Sequence, residues 1–160
     1  MPKPSLISDV RQNISLIFSR AVQQHQPVFV QRGAREFGSF FGLDELERLL
    51  EAYAFHPEAV FEAQGVNIWL PELEIYGRGA SFEAAQEDLV EEVREYVEEY
   101  FESADEYLRA PNRGDHFPFV LKAAVADLRS SLADTLFDSP SEHVPSEGAW
   151  EPAESVASRD

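Results

Sequence analysis

Apolar positions recur along the chain with two different periods, and the switches between them mark out the elements. Val10, Ile14, Ile17, Phe18 and Ala21 fall at helical spacing and predict an amphipathic helix over Asp9–Gln24. Ser8 is placed to cap it, with Asp9 favourable in the first turn. Pro27 stops it. Val28–Val30 reads as a short strand, Arg32-Gly33 as a turn and Phe37–Phe41 as the returning strand. Leu43, Leu46, Leu49, Leu50 and Tyr53 mark a second helix, opened by Asp44 and Glu45 and ended at His56-Pro57.

The second half begins with strands. Ala59–Ala63 is followed by a Gln64-Gly65 turn. Val66, Ile68 and Leu70 then alternate with Asn67 and Trp69, the period of a half-buried strand. Leu73–Tyr76 reads as a third strand, ended by Gly77-Arg78-Gly79. Ser81 is placed to cap a long helix with the stripe Phe82, Ala85, Leu89, Val93, Tyr96, Tyr100 and Ala104. A loop at 110–114 leads to another helix, with Pro118 in its first turn and a stripe of Leu121, Val125, Leu128, Leu132 and Leu136. From Ser139 the pattern dissolves. The last 22 residues hold three Pro, five Ser, five acidic groups and one Arg, a composition that predicts a disordered acidic tail. Trp150 is the residue type that anchors such a segment on a partner. The predicted fold class is α+β, divided at 1–55, 58–138 and 139–160, with no internal repeat.

Composition narrows the chemistry. With 160 residues, 44% apolar and 12% aromatic, the chain can bury a core. It has no cysteine, which excludes disulfides, Cys-rich zinc sites and thiol nucleophiles and fits a reducing cytoplasm. No apolar run is long enough to span a bilayer, and no signal-peptide pattern opens the chain. The net charge is −17, and its distribution is uneven. Residues 1–43 carry Lys3, Arg11, Arg20, Arg32 and Arg35 against Asp9 and Glu36, a net of +3. The remainder carries 8 basic and 28 acidic groups, a net of −20. Residues 83–106 alone hold eleven carboxylates and one Arg. A basic head on an acidic body fits two partners of opposite sign, and equally fits an acidic surface that only confers solubility.

Enzyme signatures are missing from the pattern. The pairs Glu91-Glu92, Glu98-Glu99 and Asp105-Glu106 fall on a solvated face, where nothing separates their pKa values into acid and base roles. His25, His56, His116 and His143 are scattered, without the i, i+4 spacing of a helical zinc site. Gly77-x-Gly79 is too little for a dinucleotide fingerprint, and neither a phosphate-cradling loop nor a nucleophile elbow occurs. No enzymatic activity, cofactor or metal is expected.

Ser8-Asp9-Val10-Arg11-Gln12-Asn13-Ile14, then Pro27-Val28-Phe29-Val30-Gln31-Arg32-Gly33, then Leu43-Asp44-Glu45-Leu46 follow one another in a set order and spacing. On these motifs residues 5–50 resemble the N-terminal domain of the Phd/YefM antitoxin family. Phe37-Gly38-Ser39-Phe40 departs from the small and β-branched residues usual in the family's second strand. The resemblance implies a homodimer that binds operator DNA, with Arg11 and Arg32 on the duplex by matching position. Asn13 is placed to read a base edge or to solvate its own helix, and Lys3 and Arg35 to add backbone contacts. Guanidinium groups suit phosphate oxygens in bidentate fashion.

Asn67-Ile68-Trp69-Leu70-Pro71-Glu72-Leu73 and Gly79-Ala80-Ser81-Phe82-Glu83-Ala84-Ala85 resemble the HicB-like antitoxin module, over residues 59–108. Together the two resemblances imply an antitoxin that neutralises a cognate toxin similar to RelE, a ribonuclease, and represses its own operon. Glu142, Glu147, Trp150 and Glu151 of the tail are the candidate toxin contacts, with the Glu-rich face of the long helix beside them. Two other readings stay open: an acidic interaction adaptor without DNA binding, and a weak hydrolase on a ribonuclease-H-like sheet.

Overall fold

Extended chain at Ser5–Leu6 (β1) runs without a loop into a helix at Ile7–Gln12 (α1). The computed structural model describes residues 3–138. A second helix follows at Ile14–Val22 (α2), then strands Val28–Arg32 (β2) and Glu36–Phe40 (β3), and a helix at Leu43–Leu49 (α3). β1 pairs parallel to β2, with Ser5 opposite Val30, and β3 pairs antiparallel, with Arg32 opposite Glu36. Gly33, at φ +62°, supplies the left-handed residue of the hairpin turn.

The single helix expected over Asp9–Gln24 is two. The Asn13 amide donates to the Asp9 carbonyl at 3.1 Å, and the Asn13 backbone N–H donates to the same oxygen at 3.0 Å. An Asn side chain that competes for backbone groups in this way ends one helix and opens the next. Ser8 does not cap. β1 leads straight into α1, so the cap position falls on Leu6 and Ser8 lies inside the helix. α3 ends at Leu49, short of Tyr53. Val10, Ile17, Val28 and Val30 form the only core cluster of this half among the described residues.

The second half builds an antiparallel sheet from Glu58–Glu62 (β4), Gly65–Leu70 (β5) and Ile75–Gly79 (β6), in that order. Val66, Ile68 and Leu70 point into the core, as their alternation predicts. The third strand starts later than Leu73 and includes the glycines that were expected to end it. Leu73 is fully buried in the connecting turn, and Glu74 takes the left-handed conformation, φ 56°. Gly77 and Gly79 lie where a helix at Phe82–Glu102 (α4) crosses the strand. A Cβ on Gly77 would come within 2.4 Å of the Ala85 carbonyl oxygen, so these glycines permit close packing.

Ser81 caps α4, its hydroxyl accepting from the Ala84 N–H at 3.2 Å. Ala85, Leu89, Val93, Tyr96 and Tyr100 form the buried stripe. The chain continues through Ala104–Arg109 (α5), a 3-10 turn at Gly114–His116, and helices Phe117–Leu128 (α6) and Leu132–Phe137 (α7). Pro118 stands in the first turn of α6, as expected. The α6 stripe is Val120, Ala123, Val125 and Ala126, however, and Leu128 is 73% exposed. Ser130, at φ 57°, reverses the chain, so Leu132 and Leu136 enter the core from a separate helix.

The halves are stitched at residues 44–57. Phe55 is buried in the core of the second half, and the Tyr53 ring meets Phe119 edge-on at 5.5 Å. Lys122 Nζ donates to the Tyr53 carbonyl at 2.5 Å. Arg129 reaches Asp44 at 2.5 Å and Glu47 at 3.1 Å, tying α6 to α3. No helix among the described residues is long and apolar enough to cross a membrane.

Candidate nucleic-acid interface

The hairpin of β2 and β3 carries two arginines at its tip. Arg32 ends β2 and Arg35 lies in the turn, both exposed. α1 begins at the same end of the sheet, because parallel pairing brings Leu6 beside Gln31. Ile7 shares a shallow depression with Val30 and Arg32. Arg11 follows one turn later on α1, exposed, next to the buried Val10. The fold therefore brings Arg32 and Arg35 together and sets Arg11 on the helix that packs on the same sheet. Lys3 precedes β1, at the end of that strand away from the hairpin tip.

Arg11, Arg35, Arg20 and Lys3 form no ion pair with any described residue. Arg32 does: its Nε donates to Glu36, directly across the hairpin. That hydrogen bond, and then the charge behind it, holds the Glu36 carboxyl below its usual range. Both side chains remain well exposed, so phosphate oxygens can compete for the guanidinium. Asn13 spends one amide hydrogen on Asp9, within its own chain segment. Glu142, Glu147, Trp150 and Glu151 lie outside the described residues.

The described histidines all have partners within the chain. His25 faces Glu45 at 2.5 Å and His56 faces Glu72 at 2.7 Å. His116 is buried, its Nδ1 2.7 Å from the Tyr96 hydroxyl, which also accepts from Arg113 at 2.9 Å. Burial, and then the Arg113 charge, push His116 below its ordinary pKa. Burial raises the Tyr96 hydroxyl, partly countered by the Arg113 hydrogen bond. No group of three or more His, Asp or Glu side chains among the described residues is placed to hold a metal.

A family described as PHD-like, antitoxin of toxin–antitoxin, RelE/RelB, matches residues 1–135. The chain belongs to this antitoxin family. Family membership makes it a non-enzymatic regulatory protein of a toxin–antitoxin system, which removes the hydrolase reading. A solved structure from Syntrophomonas wolfei subsp. wolfei, assigned as the antitoxin part of a toxin/antitoxin system, has a similar fold. The TM-score is 0.71 at 22% identity, covering 84% of this chain and 96% of that one. No curated protein matches.

In this antitoxin the carboxylates concentrate on α4 and the helices beside it. The one arginine of α4, Arg94, is held between Glu91 at 3.2 Å and Asp127 at 2.9 Å. Sequence reading missed the Arg32–Glu36 pair. The signal was present, since a three-residue hairpin loop sets the flanking residues face to face. It also missed the exposure of Phe101 and Leu128, which depends on how α4 and α6 pack.

Proposed function

We propose that this antitoxin represses its own operon through residues 1–55 and neutralises a cognate RelE-like ribonuclease toxin through its acidic remainder, in the cytoplasm. The observation that carries the DNA role is the grouping of Arg32 and Arg35 at one hairpin tip, with Arg11 on the adjoining helix. Fixed cationic groups of this kind meet phosphates along a duplex, and Lys3 adds a contact from the far end of the sheet. Asn13 keeps a second amide hydrogen for a base edge.

The reading includes a homodimer. A four-residue cluster is a small core for some fifty residues. Meanwhile β3 is exposed along its whole length, and Phe29, Phe37, Phe40 and Phe41 are all exposed. A second copy pairing across this surface would cover them and double the arginines presented to DNA. Residues 58–138 serve as a HicB-like module. That assignment is supported by the strand–Pro71-Glu72-Leu73–strand order and the Ser81-capped helix after Gly79. The tail, with Glu142, Glu147, Trp150 and Glu151, supplies further toxin contacts.

Gel-shift with DNA from upstream of the protein's own reading frame tests repression, and co-expression with the adjacent reading frame tests rescue of growth. Operator binding that weakens with salt, together with rescue, is the expected result. The Arg32–Glu36 pair favours a second reading, an acidic adaptor without DNA binding. Rescue with no operator shift at low salt would establish it.

A further inference from the structure

Two depressions run end to end along one side of α4. One lies between α4 and α7, about 590 Å³, and the other between α4 and α6, about 520 Å³. Both are lined by Glu91 and Arg94, so they adjoin, and together they are called the groove. Apolar side chains line both parts, Val90 and Phe137 in the first and Val97, Phe101 and Leu128 in the second. Leu128 is 73% exposed and Phe101 44%. Such side chains facing water along a lined channel mark a binding surface more often than scattered single ones do.

The rim is acidic. Glu83, Glu87, Glu95, Glu98, Asp134 and Asp138 line the groove and make no ion pair with any described residue. The single cation in it, Arg94, is already neutralised by Glu91 and Asp127. Glu83 to Phe101 spans 18 residue steps of α4, about 27 Å. A helix of about five turns fits that length.

We propose that the groove docks a basic amphipathic helix of the cognate toxin. Its apolar stripe lies on Val90, Phe101 and Leu128, and its lysines or arginines lie among the rim carboxylates. This rests on the reading of the chain as a toxin-neutralising antitoxin, and it locates that contact on the folded body. Charge decides the occupant. An acidic rim repels a duplex and repels the α4 face of a second copy, whereas it attracts a cationic helix and speeds its encounter.

The experiment uses the full chain and the purified product of the adjacent reading frame, with affinity measured by calorimetry at two salt concentrations. One variant, Phe101→Asp with Leu128→Asp, alters the apolar lining. A second, Glu95→Lys with Glu98→Lys, alters only exposed rim charges and keeps the test valid if the first fails to fold. A charge-matched control, Glu58→Lys with Glu62→Lys, lies on β4. Each groove variant is expected to weaken binding by about ten-fold or more, the rim variant losing most of the salt dependence, while the control stays within about two-fold. Wild-type affinity in both groove variants overturns the groove while leaving the antitoxin reading intact. A change of oligomeric state in the groove variants also overturns it, since the occupant would then be a second copy. No binding by the wild-type chain overturns the toxin-neutralising reading itself.

Discussion

Arg11, Arg32 and Arg35 differ in what already holds them, and this predicts different responses to substitution. Arg11→Ala and Arg35→Ala remove unpaired charges, so each should weaken operator binding and reduce the salt slope by about one. Arg32 must leave Glu36 to reach a phosphate. Glu36→Gln is therefore expected to tighten DNA binding, whereas Arg32→Ala loosens it; gel-shift titration of both variants decides. His116 belongs to stability. Its folded pKa is depressed, so unfolded chains take up a proton at about 6.5 that the folded chain resists. Stability is complete above that pH and falls as pH drops through the lowered folded value. Thermal midpoints should decline between pH 7.5 and 5.5 in the wild type and decline less in His116→Gln, with Tyr96, Arg113, Glu74 and Asp115 as the neighbouring charged and titratable groups.

At the scale of elements, α4 is defined at one end by a cap and along one face by glycines. Ser81→Ala removes the hydroxyl that accepts from Ala84 and should lower stability by about 1 kcal/mol, a shift of a few degrees in the melting midpoint. Gly77→Ala forces a Cβ to within 2.4 Å of backbone and should cost about 1–3 kcal/mol. Gly38→Ala on β3 meets nothing within 4 Å and should stay within about 0.5 kcal/mol. Denaturant titration of the three variants separates these cases. Helix boundaries were legible where a residue acts locally, as Ser81 and Pro118 do. They were not where the backbone turns through a single unmarked residue. Asn13 and Ser130 each interrupt an unbroken apolar period, and periodicity continues through both without a sign.

For the whole molecule, the question is how the basic half is coupled to the acidic one. Arg129 holds Asp44 and Glu47 of α3 from the end of α6, in the position directly after the groove residue Leu128. Arg129→Glu sets like charges against each other there and should make the 50–57 connection more susceptible to limited proteolysis, while far-UV circular dichroism is retained. The exposed β3 surface makes the other prediction. On the proposed dimeric, operator-binding reading, Phe37→Asp should give a monomer in sedimentation analysis where the wild type sediments as a dimer, and should lose the gel-shift with it.

The amino-acid sequence by itself determined the α+β class, the alternation of β5, the cap and stripe of α4, and the separation of charge between the first 43 residues and the rest. Each of these is encoded in local spacing or in simple sums. Tertiary structure alone decided that Gly77 and Gly79 admit a helix, that Arg32 is answered by Glu36, and that Phe101 and Leu128 line an acidic depression beside α4. Those depend on which surfaces meet, and an apolar residue carries the same signal whether its neighbour covers it or leaves it open.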